Sequence, residues 1–402
     1  MKTTLLIALQ AAFAAVLAAP AANRQRRDTK EFDIVTTPEV DVAALLAEIE
    51  LNADMDDVFA TFNNTQFKGF SGALTQQEAD FLNAKDEVLT VEPVVPIHAL
   101  ATRGSAPWGL QRVSQSSRVS GSASSRSFTY TYDDTALGRG VDVYVVDTGI
   151  YTAHSEFGGR ARTGWSYYSS TSDGNGHGTH CAGTIAGSTV GVASNANLIA
   201  VKVLDSSGQG TSTGLLAGLD YVASTHNTRK SQSGFIASVA SMSLGFEGRA
   251  TAVETAVRNL AAAGVHTVVA AGNSNTNACT QSPSAVGGTG SSTVLSIGAS
   301  TIGDAVASFS NTGPCVDVFA PGQDVISASN SGASTYRSLS GTSMATPHVA
   351  GLVAYFAVGN ANLRQSPAAM KSFVKSGAIS GVLTRNSGYV SGGDLVLVNN
   401  GA

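Results

Sequence analysis

Past residue 106 the chain alternates short β-branched runs with helix-length stretches, and this alternation limits its fold more than any other feature. The runs are "GVDVYVVD" (140–147), "ANLIAVKVL" (196–204), "ASVASMSLG" (237–245), "GVHTVVAAG" (264–272) and "TVLSIGAS" (293–300). Between them lie "STGLLAGLDYVASTH" and "ATAVETAVRNLAAAG". Strands that alternate with helices of this length make βαβ units, so the expected fold is α/β, a mostly parallel sheet with helices on both faces. Ligand sites in such sheets lie at the carboxyl ends of the strands, so polar residues directly after the runs are the ones to question. Composition agrees: 43% apolar, 13% charged and 43 glycines in 402 residues suit a large packed core with many turns, not a coiled coil or a disordered tail.

The amino end is a different object. Lys2 precedes "TLLIALQAAFAAVLA" (4–18), which reads as a secretory signal peptide over 1–18 with cleavage after Ala18. The run is shorter than the roughly 20 apolar residues of a membrane span. No later segment is long enough either, so a secreted protein with no membrane partner is expected. Residues 19–100 hold 6 basic and 15 acidic residues, net −9, whereas residues 101–402 hold 17 and 14, net +3. Two units of opposite charge attract each other. A net +3 with no basic cluster interleaved with aromatics argues against nucleic acid. Within 19–100, "TPEVDVAALLAEIELNADMDDVF" fits an amphipathic helix, and "FSGAL", "TQQEADFLNA" and "VLTVEP" read as strand, Thr-capped helix and strand. This small α/β module is followed by an expected linker, "VVPIHALATRGS" (94–105). Asn63 opens a glycosylation sequon, Asn63-Asn64-Thr65, inside the module.

Four polar residues stand where the sheet rule says to look. Asp147 ends "VDVYVVD"; His177 lies in "GNGHGTHCAGT"; Asn273 follows "VVAAG"; Ser343 lies in "GTSMATPHVAG". Alone, each has an ordinary explanation: a turn acid, a packed imidazole, a capping amide, a small buried hydroxyl. His180 keeps that ordinary reading. A metal-binding histidine pair is excluded because no glutamate accompanies it in a His-Glu-x-x-His pattern. Together the four supply what acyl transfer needs: a nucleophile, a base, a carboxylate to hold the imidazole, and a donor for the oxyanion. An α/β-hydrolase esterase would need Gly-x-Ser-x-Gly and the order Ser, Asp, His, but position 345 is Ala and the order here is Asp, His, Ser. An inert binding homologue would show a damaged motif, and none of the four is replaced.

These motifs, with "APWGLQRVS", "VKVLDSSGQG" and "SMSLG", resemble the subtilisin-like serine proteases and, within them, the proteinase K subfamily. The resemblance runs from about Ala101 to the end. It implies a catalytic domain over 101–402 and, over 19–100, a small α/β propeptide that assists folding and inhibits the enzyme until removed, with cleavage after Leu100. Ser343 would be the nucleophile, His177 the general base, Asp147 its orienting carboxylate, and Asn273 with Ser343 the oxyanion hole. Substrate strands would be Ser206, Ser207, Gly208, Gln209 and Gly210 on one side and Ser243, Leu244 and Gly245 on the other, binding protein and peptide substrates as an added strand. The S1 pocket between Ser243–Gly245 and Ala270, Ala271, Gly272 contains no acid or base, which favours aromatic and aliphatic side chains. The resemblance also implies a monomer, a Cys279–Cys315 disulfide, a buried Cys181, no catalytic cofactor, and a structural calcium ion on Asp317 with carbonyls near Thr293 and Leu295. "SAVGGTGSST" (284–293) is longer than its family counterpart, and Asp317 could equally be a solvated loop acid.

Overall fold

The structure, a computed structural model, describes residues 28–94, 100–133, 137–288 and 290–402; the signal peptide expected over 1–18 lies outside them. The chain divides into two units, Met1–Ile97 and His98–Ala402.

In the first unit, strands β1 (Lys30–Thr36), β2 (Val58–Asn63), β3 (Lys68–Leu74) and β4 (Val88–Pro93) form an antiparallel sheet in the order β2-β3-β1-β4. Helices α1 (Val42–Glu48) and α2 (Gln76–Asn83) cover it, burying Leu45, Leu46 and Leu82 with Phe32, Ile34 and Phe70. Thr75 caps α2 through a full capping box with Glu78. The long amphipathic helix expected from residue 37 onward is corrected to the seven residues of α1. Glu50 takes a left-handed φ of 57°, and the Asn52–Asp57 stretch turns, because Asn and Asp side chains bond nearby backbone in place of helix; Asn52 Oδ1 accepts from Asp54 N–H at 3.0 Å. Asn63 and Thr65 are exposed, with Asn63 ending β2.

The second unit is built on a nine-stranded sheet. Its strands are β7 (Val141–Asp147), β8 (Ala161–Ser166), β9 (Asn197–Lys202), β10 (Ala237–Met242), β11 (His266–Ala270), β12 (Leu295–Ser300), β13 (Val318–Pro321), β16 (Ile379–Ser380) and β17 (Val396–Leu397). They lie in the order β16-β17-β13-β12-β11-β10-β7-β9-β8, every neighbour parallel except β16–β17. The period of two explains how one strand serves two cores. Val141, Val143 and Val145 of β7 pack on the face that holds helices α4 (His177–Ala186) and α7 (Thr342–Gly359). Tyr144 and Val146 face α5 (Ser212–Arg229) and α6 (Thr251–Ala262). Helix α7 is apolar on nearly every side and is correspondingly buried from Met344 to Ala357.

Smaller pieces complete the unit: α3 (Trp108–Arg112), α8 (Pro367–Ser376), the β14–β15 hairpin (Val325–Ala328, Tyr336–Leu339) and the pair β5–β6 (Leu100–Ala106, Phe128–Asp133). The linker expected over 94–105 is therefore corrected in its second half, where Leu100–Ala106 is a strand. Its first half, residues 95–99, lies outside the described residues.

Candidate active site

Two of the four sequence candidates, Asp147 and Asn273, stand at the carboxyl ends of β7 and β11, and the other two, His177 and Ser343, at the amino ends of α4 and α7. Asp147 is the last residue of β7 and fully buried. His177 opens α4, and its Nδ1 lies 2.8 Å from Asp147 Oδ1 and 3.0 Å from Oδ2. Gly178 makes this approach possible, since a Cβ there would stand 2.1 Å from the Gly149 carbonyl oxygen and 3.1 Å from the Asp147 side chain. Burial alone would depress the imidazole pKa, but the Asp147 carboxylate outweighs it and holds His177 well above the usual histidine value.

Sequence reasoning missed the supports behind this pair. Asp173 is buried and accepts from Thr148 Oγ1 (2.8 Å), the N–H groups of Asn175 (3.1 Å), Gly176 (2.7 Å) and Thr179 (2.9 Å), and Thr179 Oγ1 (2.5 Å). Thr148 Oγ1 in turn accepts from Gly178 N–H at 2.9 Å, joining the end of β7 to the start of α4. Lys202 pairs with Asp147 in the β7–β9 register, and its ammonium donates to the carbonyls of Thr148 (2.5 Å) and Leu204 (2.7 Å). The Asx-type turn in "DGNG" was the available signal for Asp173; an apolar run ending in lysine gave none for Lys202.

Ser343 stands in the first turn of α7, where helix N–H groups have no intrahelical partner and the dipole end favours negative charge. The turn is held by exchange. Ser343 Oγ donates to the Ser243 carbonyl at 3.1 Å, and Ser243 Oγ donates to the Ser343 carbonyl at 2.9 Å. That carbonyl is free because Pro347, four residues on, has no N–H to give it. Cys181 Sγ also lies 3.4 Å from it. Asn273 Oδ1 accepts from Thr342 N–H (2.8 Å) and Thr342 Oγ1 (2.9 Å), which fixes the amide so that its NH2 is the free end. Asn311 steadies the same loop, donating to Ala271 O and accepting from Ser274 and Thr276 N–H.

Beside these groups lies a cleft of about 440 Å³ lined by His177, Gly208–Gly210 and Ser243–Gly245, with Phe246 and Glu247 at one wall. Of the other expected substrate residues, Ser206 accepts from Asn175 Nδ2 through its carbonyl (3.2 Å), and Ser207 donates its Oγ (2.6 Å) and N–H (2.8 Å) to Asp205 Oδ1. Ala270, Ala271 and Gly272 lead out of β11 to Asn273 and do not line this cleft. His180 is buried and bonds the Val325 carbonyl at 2.9 Å, a packing role, with burial pulling its pKa down to about 3. Burial pushes the Cys181 thiol above its ordinary range, which makes it a poor nucleophile.

The sequence profile described as the subtilase family matches residues 138–392. The chain belongs to the subtilase family. It is a subtilisin-like serine protease, 42% identical over 315 residues to proteinase R of Parengyodontium album, spanning 78% of this chain and 76% of that protein. A cuticle-degrading protease of Metarhizium anisopliae is 42% identical over 339 residues, 84% of this chain and 81% of that one. The solved structure of a cold-adapted subtilisin-like serine proteinase superposes with a TM-score of 0.64 at 39% identity, covering 74% of this chain and all of its own.

Two further expectations for this subtilase meet different fates. Cys279 and Cys315 form a disulfide. The calcium site does not fit. Asp317 is wholly buried, not a solvated loop acid, and its Oδ2 accepts from Gly288 N–H (3.0 Å) and Ser296 N–H (2.9 Å). Its Oδ1 lies 2.9 Å from the ammonium of Lys371 and 3.7 Å from that of Lys375. The carbonyls beside it are Gly288 and Val294, not Thr293 and Leu295, and both accept from Lys371. A divalent ion there would face two ammonium groups, and each unit-charge repulsion at ~4 Å costs about 4 kcal/mol at an effective dielectric near 20. Among the described residues no helix is long and apolar enough to cross a membrane.

Proposed function

We propose that this subtilase is a secreted, self-processing serine endopeptidase that works through an acyl-enzyme. The reading rests above all on the Asp147–His177 pair at 2.8 Å beside a serine whose helix end is tied to a fixed amide. Ser343 Oγ exchanges its bond to Ser243 O for one to His177, loses its proton to that imidazole and attacks the scissile carbonyl. Asp147 keeps Nδ1 protonated, so Nε2 is the basic nitrogen, and it stabilises the imidazolium that forms. The free amide of Asn273 and the Ser343 N–H receive the oxyanion. His177 then returns the proton to the leaving amine, and water repeats the sequence on the ester.

The cleft supports the substrate class. Gly208–Gly210 and Ser243–Gly245 offer backbone on two sides, suited to an extended peptide read by its main chain. The segments expected to form S1, Ser243–Gly245 and 270–272, contain no acid or base, which favours aromatic and aliphatic residues, and the expected maturation bond follows Leu100, itself aliphatic. Just beyond that bond Arg103 donates to Ser188 O (2.8 Å) and Gly191 O, anchors that would hold a new amino end at Ala101. The segment before it would be the inhibitory propeptide.

Intact mass and amino-terminal sequence of the product, wild type beside Ser343→Ala, test this reading. The wild type should begin near Ala101 and the variant should retain residues from about 19. If both begin near Ala101, another protease matures the chain and self-processing falls.

A further inference from the structure

We propose that Lys371 is a built-in cation that takes the place of a metal at Asp317, so that this lobe is held without calcium. The observation is a buried ammonium set against two carbonyls and a buried carboxylate. Lys371 reaches from α8, and its Nζ donates to Gly288 O at 2.7 Å and Val294 O at 2.8 Å while lying 2.9 Å from Asp317 Oδ1. Two carbonyls and a carboxylate are hard oxygen ligands of the kind that hold a divalent ion. Lys371 occupies the same oxygens, donating to the two carbonyls and meeting Asp317 Oδ1, which has no hydrogen bond of its own, by charge alone. Lys375, one helical turn on, sits 3.7 Å from the same oxygen and 3.0 Å from Asp394 Oδ2.

The surroundings are shaped for this pair. Gly288 has a φ of +80°, and a Cβ there would come within 2.0 Å of the Pro314 carbonyl oxygen. Only such close backbone lets one residue donate its N–H to Asp317 Oδ2 and offer its carbonyl to Lys371. The Cys279–Cys315 disulfide ties the two ends of the same region covalently. Lys371 thus ties helix α8 to the 287–294 loop and the residue before β13, which Asp317 already joins to each other.

A lysine carries its charge covalently, so removing metal from the medium cannot empty the place. Thermal unfolding in the Ser343→Ala background, which prevents self-digestion, tests the inference in EDTA and in millimolar calcium. Four chains are compared: Lys371 or Lys371→Ala, each with Asp317 or Asp317→Asn. With Lys371 present, the part of any calcium shift that Asp317→Asn abolishes should be zero. Lys371→Ala should lower the midpoint in EDTA by roughly 5–10 °C, as expected for a buried carboxylate stripped of its partner. Calcium should then raise that midpoint, and Asp317→Asn should remove the gain. If Lys371→Ala fails to fold, Lys371→Met, which keeps the aliphatic stem, takes its place. An Asp317-dependent calcium shift in the chain that retains Lys371 overturns the proposal. So does a Lys371 variant that unfolds no earlier in EDTA, or one that gains nothing from calcium.

Discussion

Two buried carboxylates in this protein hold a cationic partner at nearly the same distance and are put to opposite uses. Asp147 and Asp317 are both fully buried, and their partners His177 and Lys371 stand 2.8 and 2.9 Å away. Asp317 gives one oxygen to two backbone N–H groups and the other to an ammonium that also satisfies two carbonyls. Its pair is buried on both sides, away from the cleft, and brings three segments together. The imidazole beside Asp147 is only partly buried, with 24% of its side chain exposed and Nε2 free for a reactant. Asp147 holds its pKa above the usual histidine value, and an imidazole with a free Nε2 can accept and return a proton. What separates machinery from scaffold is the partner's pKa and its access to the cleft, not the contact itself.

The sharpest way to break this comparison is to make the same substitution on both sides. Asp147→Asn should lower kcat by about 10⁴ through a misplaced imidazole tautomer, with the unfolding midpoint nearly unchanged. Asp317→Asn should leave kcat/KM within about twofold and cost roughly 3–5 kcal/mol of stability, because it strands a buried ammonium. Equal effects on rate and stability at both positions would erase the distinction. Next in size, reduction or Cys279→Ser should cost about 4 kcal/mol in the chain-entropy picture for a separation of 36 residues, again without loss of turnover per folded molecule. Asn273→Ala should lower kcat by about 10²–10³, a figure that itself comes from a subtilisin, at unchanged KM.

The pH dependence sharpens the contrast more gently. Catalysis needs neutral His177, so a raised pKa places the acid limb of kcat/KM above pH 6.5, and Asp147→Asn should move it down. For stability the sign runs the same way as for any raised group: the charged His177–Asp147 pair stabilises below the unfolded histidine pKa, and that gain is lost as pH rises through the folded value. His180, His266 and His348 act oppositely. Burial lowers them to about 3, 4 and 4, so the unfolded chain takes up protons first and stability falls as pH drops below about 6.5. Acid unfolding monitored by circular dichroism should show that loss, and an acid limb at or below pH 6.5 would count against the Asp147 effect.

The pattern of legibility follows the same physics. The parallel sheet was readable because β7, β9, β10, β11 and β12 are each a β-branched or small-residue run bounded by turns. Strand β1 was missed although Phe32 and Ile34 alternate as a half-buried strand should, and β8, with Gly164 and Arg162, has almost no apolar signal. The four reacting groups were legible because strand ends (Asp147, Asn273) and Gly-rich helix starts (His177, Ser343) carry them one at a time. Their supports were not, since Lys202, Thr342 and Asn311 act through contacts between residues far apart in the chain, as does Asp173 in its bond to Thr148. The calcium expectation turned on the same kind of long-range contact. Asp317 sits where the family pattern puts a ligand, but its cation comes from Lys371, 54 positions later in the sequence.

The central claim is that Ser343 is the group that attacks. Treating the mature enzyme with an organophosphorus fluoride, then measuring intact mass and mapping the adduct, tests it most directly. The account predicts a single adduct on Ser343, formed in step with the loss of peptidase activity, slowed by a peptide substrate, much slower in Asp147→Asn and absent in Ser343→Ala. An adduct on another residue, or peptide hydrolysis undiminished in a folded Ser343→Ala chain, would contradict it.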